Sequence, residues 1–180
     1  MLDSFRLGRQ VFESGFRPTF IVGLWRGGSI VGMIVQECLA SLGVETDHIA
    51  LRTSYEGPEE YFRTLQKRGS IRVHGRQYLI ETVSVEDRLL IVDDVFASGR
   101  HVRAVINSLK RGLKRNMPQE VRVATTWYRE TPDQIGAPDF FIHATERWIV
   151  LPWEMKGLTM AEIAEHKPFL LPMLEHCGLR

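Results

Sequence analysis

The chain has 180 residues, a length that fits one domain, and its 44% apolar and 25% charged residues are the balance of a globular protein with a core of its own. A net charge of +1 gives no basis for a broad nucleic-acid face or an anionic-membrane surface, so neither partner is expected. Cys38 and Cys177 are too few for a disulfide framework and too far apart for a C-x-x-C metal pair, and they read as idle thiols. Met1 to Gln10 carries Asp3, Arg6 and Arg9 and no apolar run. Neither a secretion signal nor a membrane-spanning helix is expected there, and the expected location is cytoplasmic.

In chain order, a short helix is expected from Ser4 to Phe12, ended by Gly15 and Pro18. Thr19 to Leu24 is an apolar run suited to a buried strand, broken by Arg26-Gly27-Gly28. Ser29 can cap a helix whose Ile30, Met33, Ile34 and Leu39 recur at helical spacing, ending near Gly43. His48 to Thr53 alternates and reads as a second strand. From Tyr55 to Asp87 the chain changes character. It holds Gly57, Pro58, Gly69 and Gly75, many charges, and only short β-like pieces at Ile71 to Val73 and Gln77 to Thr82. This stretch, about 55–87, reads as a mobile excursion off a sheet edge, and loops of such length are usually functional.

Arg88 to Val92 is the clearest buried strand and ends in Asp93-Asp94. Gly99 then opens a helix carrying Val102, Val105, Ile106 and Leu109. Glu120 to Trp127 reads as a strand, with further apolar runs at Phe140 to Ile142 and Trp148 to Val150. Met160 to Leu174 looks helical but is interrupted by Pro168, giving a C-terminal helical element over about 155–180. Strands alternating with helices imply a single α/β domain over 1–180 with a mostly parallel sheet flanked by helices. Ligands of such folds bind outside the carboxyl ends of the strands.

Two strand ends carry unusual residues. Adjacent carboxylates at the end of an apolar strand are costly unless a cation or a hydroxyl meets them. Directly after Asp93 and Asp94 come the small residues Ala97, Ser98 and Gly99, at a helix opening whose N–H groups favour phosphate. Acids beside a phosphate cradle suggest a sugar phosphate, with its hydroxyls on the acids and its phosphate on the amides. At the other strand end, Gly27-Gly28 lets backbone amides point at an anion, and Arg26 adds a forked cationic donor. A third segment, Arg147 to Glu154, contains Trp148 and Trp153, and an indole offers a flat face on which a purine stacks.

The string Leu89 to His101 resembles the signature of type I phosphoribosyltransferases that binds phosphoribosyl pyrophosphate (PRPP): four apolar residues, two acids, two apolar residues and a small-residue loop. The resemblance implies that Asp93 and Asp94 hold the ribose hydroxyls and work with magnesium. It also implies that Ala97, Ser98, Gly99, Arg100 and His101 wrap the 5-phosphate. Arg26, Gly27 and Gly28 are similar to the family's pyrophosphate loop, which often contains an unusual peptide bond, here Trp25–Arg26. Ser54-Tyr55 resembles the opening of the flexible catalytic loop, which excludes water from the reacting centre.

Arg147 to Glu154 is similar to the C-terminal motif of microbial xanthine-guanine and archaeal hypoxanthine phosphoribosyltransferases. By that resemblance Trp148 stacks on the base, Ile149 reads its edge through the backbone, and Glu154 assists a second magnesium through water. Arg129 stands where these relatives have a lysine that donates to the purine 6-oxo group. The implied activity is transfer of ribose 5-phosphate from PRPP to a 6-oxopurine by a dimer or tetramer.

Three positions depart from the pattern. His101 replaces the usual Thr or Ser, Arg129 replaces lysine, and Ala97 replaces the acid that faces N7 of the base. Ala97 is compatible with adenine or another base. Together with His101 it is also compatible with a PRPP- or nucleotide-sensing regulator on the same fold.

Overall fold

The structure is a computed structural model that describes residues 1–55, 71–155 and 158–176. These fall into two compact units, Met1–Glu146 and Arg147–Arg180. In the first unit the elements are α1 (Leu2–Glu13), β1 (Phe20–Trp25), α2 (Gly27–Ser41), β2 (Asp47–Tyr55), β3 (Ile71–His74), α3 (Gln77–Thr82), β4 (Arg88–Phe96), α4 (Arg100–Leu113), β5 (Glu120–Arg129) and β6 (Phe140–Thr145). The strands form one sheet in the order β3-β2-β1-β4-β5-β6. Every neighbouring pair is parallel except β2–β3, which is antiparallel.

The central strands are the most apolar, as two-sided burial requires. Five of the six residues of β1 are buried, and Leu89, Leu90, Ile91 and Val92 of β4 are fully so. Alternate residues serve two cores. Leu24, Leu51, Leu89 and Ile91 pack with Val102, Val105 and Leu109 of α4. Ile21, Leu90 and Val92 pack with Leu7 and Val11 of α1 and with Val31, Val35 and Leu39 of α2. Each such side chain favours folding by about 1.5–3 kcal/mol. The helices α1 and α2 cross closely because Gly8 has no side chain: a Cβ there would lie 2.8 Å from Cys38 Cβ. Cys38 is buried, and burial raises its thiol pKa.

Three expectations differ from what is found. Gln77–Thr82 is a helix, because Leu79 and Val83 are buried four residues apart and Ile80 packs on Gly112 of α4, a helical period and not an alternating one. Helix α2 starts at Gly27 with Arg26 at its cap, so Ser29 lies inside the first turn and its hydroxyl caps nothing. The strand expected to end at Val92 runs on through Asp93 and Asp94 to Phe96, because its pairing with β5 continues to Tyr128. Of the expected excursion, 71–74 and 77–82 are regular elements of the first unit, while Gly57, Pro58, Gly69 and the rest of 56–70 lie outside the described residues.

The second unit contains α5 (Met160–His166), a 3₁₀ turn at Pro168–Leu170 and α6 (Leu171–His176). Thr159 caps α5 through a reciprocal pair with Glu162. The break at Pro168 falls where it is expected. Residues 156, 157 and 177–180 of the C-terminal element, Cys177 included, lie outside the described residues. Among the described residues no helix is long and apolar enough to cross a membrane.

His48 of β2 fills the space left by two glycines. A Cβ on Gly23 of β1 or on Gly32 of α2 would come within 3.0 Å of its Nε2. That nitrogen is buried without a hydrogen-bond partner, and burial lowers the ring's pKa below the ordinary histidine value, outweighing Asp47. The unfolded chain therefore takes this proton more readily than the folded one. The stability linked to His48 is complete above the ordinary value and is lost as pH falls toward the folded value. The thermal midpoint is expected to drop on going from about pH 7.5 to about pH 5.5. His48→Gln should flatten part of that drop, measured by calorimetry across the range, and identical pH slopes would remove His48 from the account.

Candidate active site

The order of the strands creates the crevice. From β1 the chain builds outward to β2 and β3, then returns to β4 on the opposite side of β1. Helices depart on both sides of that reversal, and the gap at the carboxyl ends of β1 and β4 is where open α/β sheets bind ligands. Both unusual strand ends of the sequence meet there.

At the end of β1 the Trp25–Arg26 peptide is cis, at the bond where the resemblance implied an unusual peptide. Arg26 is exposed at the cap of α2, and Gly27 and Gly28 are buried. The two glycines lie directly on the acid pair. A Cβ on Gly27 would collide with the Asp94 carboxylate, and one on Gly28 would lie 2.5 Å from the Val92 carbonyl and 2.9 Å from Asp93 Cα. Contact, not backbone conformation, is what demands glycine at these two positions.

Asp93 keeps some surface yet has protein on most sides. That burial, with Asp94 adjacent, pushes its carboxyl well above the ordinary carboxylate range. Each acid accepts the next backbone N–H: Asp94 N–H at Asp93 Oδ1, 3.0 Å, and Val95 N–H at Asp94 Oδ1, 2.8 Å. The Asp94 carbonyl accepts the hydroxyls of Thr125 and Thr126 from β5, at 3.0 and 2.8 Å.

Beyond β4, Ala97, Ser98 and Gly99 lead into α4. Gly99 is left-handed at φ +71°, and a Cβ on it would strike the Ile135 carbonyl and lie 2.8 Å from the Phe96 ring, so this position requires glycine twice over. The cap residue Gly99 has no side chain to offer the first turn of α4, and Ser98 Oγ reaches the Arg100 N–H only at 3.5 Å. The N–H groups of that turn and the helix dipole suit a phosphate. The loop after β5 packs against this turn: Ile135 N–H donates to Ser98 O at 2.9 Å, and Arg100 pairs with Asp133 at 2.9 Å. His101 Nδ1 lies 2.8 Å from Thr53 Oγ1 of β2, and burial lowers the imidazole's pKa below the ordinary histidine value.

The remaining expected site residues are placed as follows. Ser54 Oγ lies 2.9 Å from His74 Nε2 of β3. Tyr55 ends β2, and the residues that would continue the catalytic loop lie outside the described ones. Arg129, half-buried, closes β5 opposite Thr145. Trp148, Ile149 and Glu154 belong to the second unit. There Trp148 is 76% exposed, and Glu154 Oε2 accepts Leu151 N–H at 3.0 Å. The Pro152-Trp153-Glu154 turn is pinned by buried Lys167, whose ammonium donates to the carbonyls of Leu151 (2.9 Å), Pro152 (3.2 Å) and Glu154. Sequence reasoning missed Thr53, Thr125, Thr126, Asp133 and Lys167. The buried Thr-Thr pair in β5 was the one visible signal, since two hydroxyls inside an apolar strand need acceptors.

A mostly parallel sheet with a strand-order reversal, two acids at its crevice and a glycine-led helix beside them defines an α/β protein of the open-sheet class. The chain matches the family model "Phosphoribosyl transferase domain" over residues 5–156. It belongs to that family, and its class is that of the PRPP-dependent transferases. Among solved structures it is similar to a purine phosphoribosyltransferase from Pyrococcus horikoshii Ot3, with a TM-score of 0.63, 22% identity and coverage of 87% of this chain and 89% of that one. It is also similar to a xanthine-guanine-hypoxanthine phosphoribosyltransferase from Helicobacter pylori, with a TM-score of 0.61, 17% identity and coverage of 91% and 92%. At these identities the likeness is one of fold, and the type I phosphoribosyltransferase architecture expected from the sequence is the one found. No curated protein matches the chain.

The raised Asp93 pKa carries a stability consequence. Between the ordinary carboxylate value and the raised one the folded state holds a proton that the unfolded state releases, so this group's contribution declines as pH rises through that window. Asp93→Asn removes the crowded charge. With no ligand present, near pH 8, it should raise the thermal midpoint by about 2–4 °C, the shift that ~1 kcal/mol gives a chain of this size. Calorimetry of the two proteins checks this, and a lowered midpoint would contradict it.

Proposed function

We propose that the chain transfers ribose 5-phosphate from PRPP to a 6-oxopurine (hypoxanthine, guanine or xanthine), releasing pyrophosphate and a nucleoside monophosphate. One observation carries the reading: two consecutive carboxylates rest against Gly27-Gly28, one turn ahead of a left-handed glycine that opens a helix. In this reading Asp93 and Asp94 hold the ribose hydroxyls, and the amides from Ser98 to His101 hold the 5-phosphate. The Arg26-Gly27-Gly28 turn receives the departing pyrophosphate. The work is positioning and electrostatic stabilisation of charge that develops on the ribose. Ser54 and Tyr55 open the loop that excludes water.

The acid pair suits magnesium. Its crowded negative charge favours a divalent cation, and among the described residues no cluster of three or more ligating side chains could hold one alone. Magnesium characteristically takes one or two carboxylates and completes its shell with water and substrate phosphates, so the ion would arrive with PRPP and offset its charge. Glu154 would act on a second ion through water.

The base end rests on the exposed indole of Trp148 as a stacking face, with Ile149 beside it and Arg129 as donor to a 6-oxo group. Ala97 supplies no acid for N7, which favours adenine or another base as the second reading. A homo-oligomer in the cytoplasm completes the proposal.

The deciding experiment gives the protein PRPP and magnesium, with hypoxanthine, guanine, xanthine and adenine in separate reactions, and follows pyrophosphate release. Turnover of an oxopurine is the expected result. Turnover of adenine alone would keep the reaction and overturn the base. Binding of PRPP without turnover of any base would favour a sensor. In the active enzyme, Asp94→Asn should lower kcat/KM by about a hundredfold or more, as loss of a group acting on transition-state charge does. Trp148→Ala should raise the KM of the base several-fold and leave that of PRPP nearly unchanged. Equal effects on both would count against stacking.

A further inference from the structure

In a regular strand neighbouring side chains point to opposite faces. Asp93 and Asp94 do not separate in this way. Asp94 Oδ2 crowds the position of a Gly27 Cβ, and Asp93 Oδ1 lies 3.2 Å from that of Gly28, so both carboxylates approach one turn. The reason lies in the strands. Leu90 and Val92 of β4 face the α1–α2 core, and by alternation Phe96 should as well, yet it lies in the α4 core. In β5, Ala124 faces the α1–α2 core while Tyr128 packs with the α4 core. Both strands therefore reverse their faces between these positions without a change of register: Asp93 pairs with Thr125 and Val95 with Trp127, and the intervening Asp94–Thr126 rung is skipped. The next rung outward, Thr126–Ile142, is skipped too.

A skipped rung leaves the Asp94 carbonyl inside the sheet in need of a donor, and an unsatisfied buried carbonyl is costly. Thr125 and Thr126 meet that need with their side chains, at 3.0 and 2.8 Å. Both residues are buried; the single Thr125 hydroxyl proton is shared between Asp94 O and Trp127 O at 3.1 Å, whereas that of Thr126 goes to Asp94 O. We propose that Thr125 and Thr126 are positioning residues of the PRPP site: their hydroxyls replace the missing ladder bond at Asp94 and hold open the reversal that turns two consecutive acids toward one ligand. This deepens the reading of the site given above and rests on it. Valine at either position has the right shape and no donor, so the Asp94 carbonyl keeps one hydroxyl partner of two and is drawn back toward regular pairing. One acid then turns away from the turn.

The test compares Thr126→Val with Thr126→Ser, measuring PRPP affinity by calorimetry with magnesium present and the KM of the base. Thr126→Val should weaken PRPP about tenfold, the factor a ~1.4 kcal/mol hydrogen bond is worth, and leave the base KM within about twofold. Thr126→Ser, which keeps the hydroxyl, should return PRPP affinity to near the wild-type value. A folded Thr126→Val protein with unchanged PRPP affinity, or with equal losses for PRPP and base, overturns the proposal. Should that variant not fold, Thr125→Val carries the same expectation and the same overturning result. Wild-type protein that does not bind PRPP would defeat the functional reading instead. A crystal structure of Thr126→Val then judges the positioning alone: separated carboxylates uphold it, and an unmoved acid pair overturns it.

Discussion

The packing of two carboxylates on two glycines is the constraint on which the site depends. Without Cβ atoms at Gly27 and Gly28, the start of α2 can sit against the end of β4, and both acids lie at the crevice between two central strands. Everything around it supports that approach. The apolar run of β1 brings the turn to the sheet centre, the reversal in strand order leaves the crevice open, and Gly99 delivers the next helix start to the same edge.

The arrangement is purchased with stability. Asp93 is held where its charge is disfavoured, and His48 and His101 are held where theirs is. The two effects have opposite pH signs: the acid weakens the empty protein as pH rises, and the imidazoles weaken it as pH falls. An anionic sugar phosphate with a divalent cation would relieve the acid and give His101 a counter-charge. Sites that are unfavourable when empty and favourable when filled are a common outcome of selection for binding.

Much of the fold was legible because its strands are apolar runs of the right length. Thr19–Leu24 and Arg88–Val92 are hard to read as anything else, and the acid pair and glycine turn stand out against them, although the second strand runs on through the acids to Phe96. Other features were hidden for physical reasons. Gln77–Thr82 is too short for a six-residue pattern to separate helix from strand, and the burial of Leu79 against α4 decides it. The helix start at Gly27 rather than Ser29 follows from packing on Asp94, a contact between segments more than sixty residues apart. The face reversal at Asp94 is invisible to an alternation argument, because alternation is the rule it breaks.

Lys167 gives the second unit a different kind of legibility. Its ammonium is spent on three carbonyls and shielded from solvent, whereas Lys110 and Lys114 on the first unit are exposed. Amine-directed reagents will therefore mark those two at once and reach Lys167 only when the turn around Pro152 opens. The rate at which that lysine becomes reactive is a built-in clock for local opening of the C-terminal unit, readable by mass spectrometry without any engineered label.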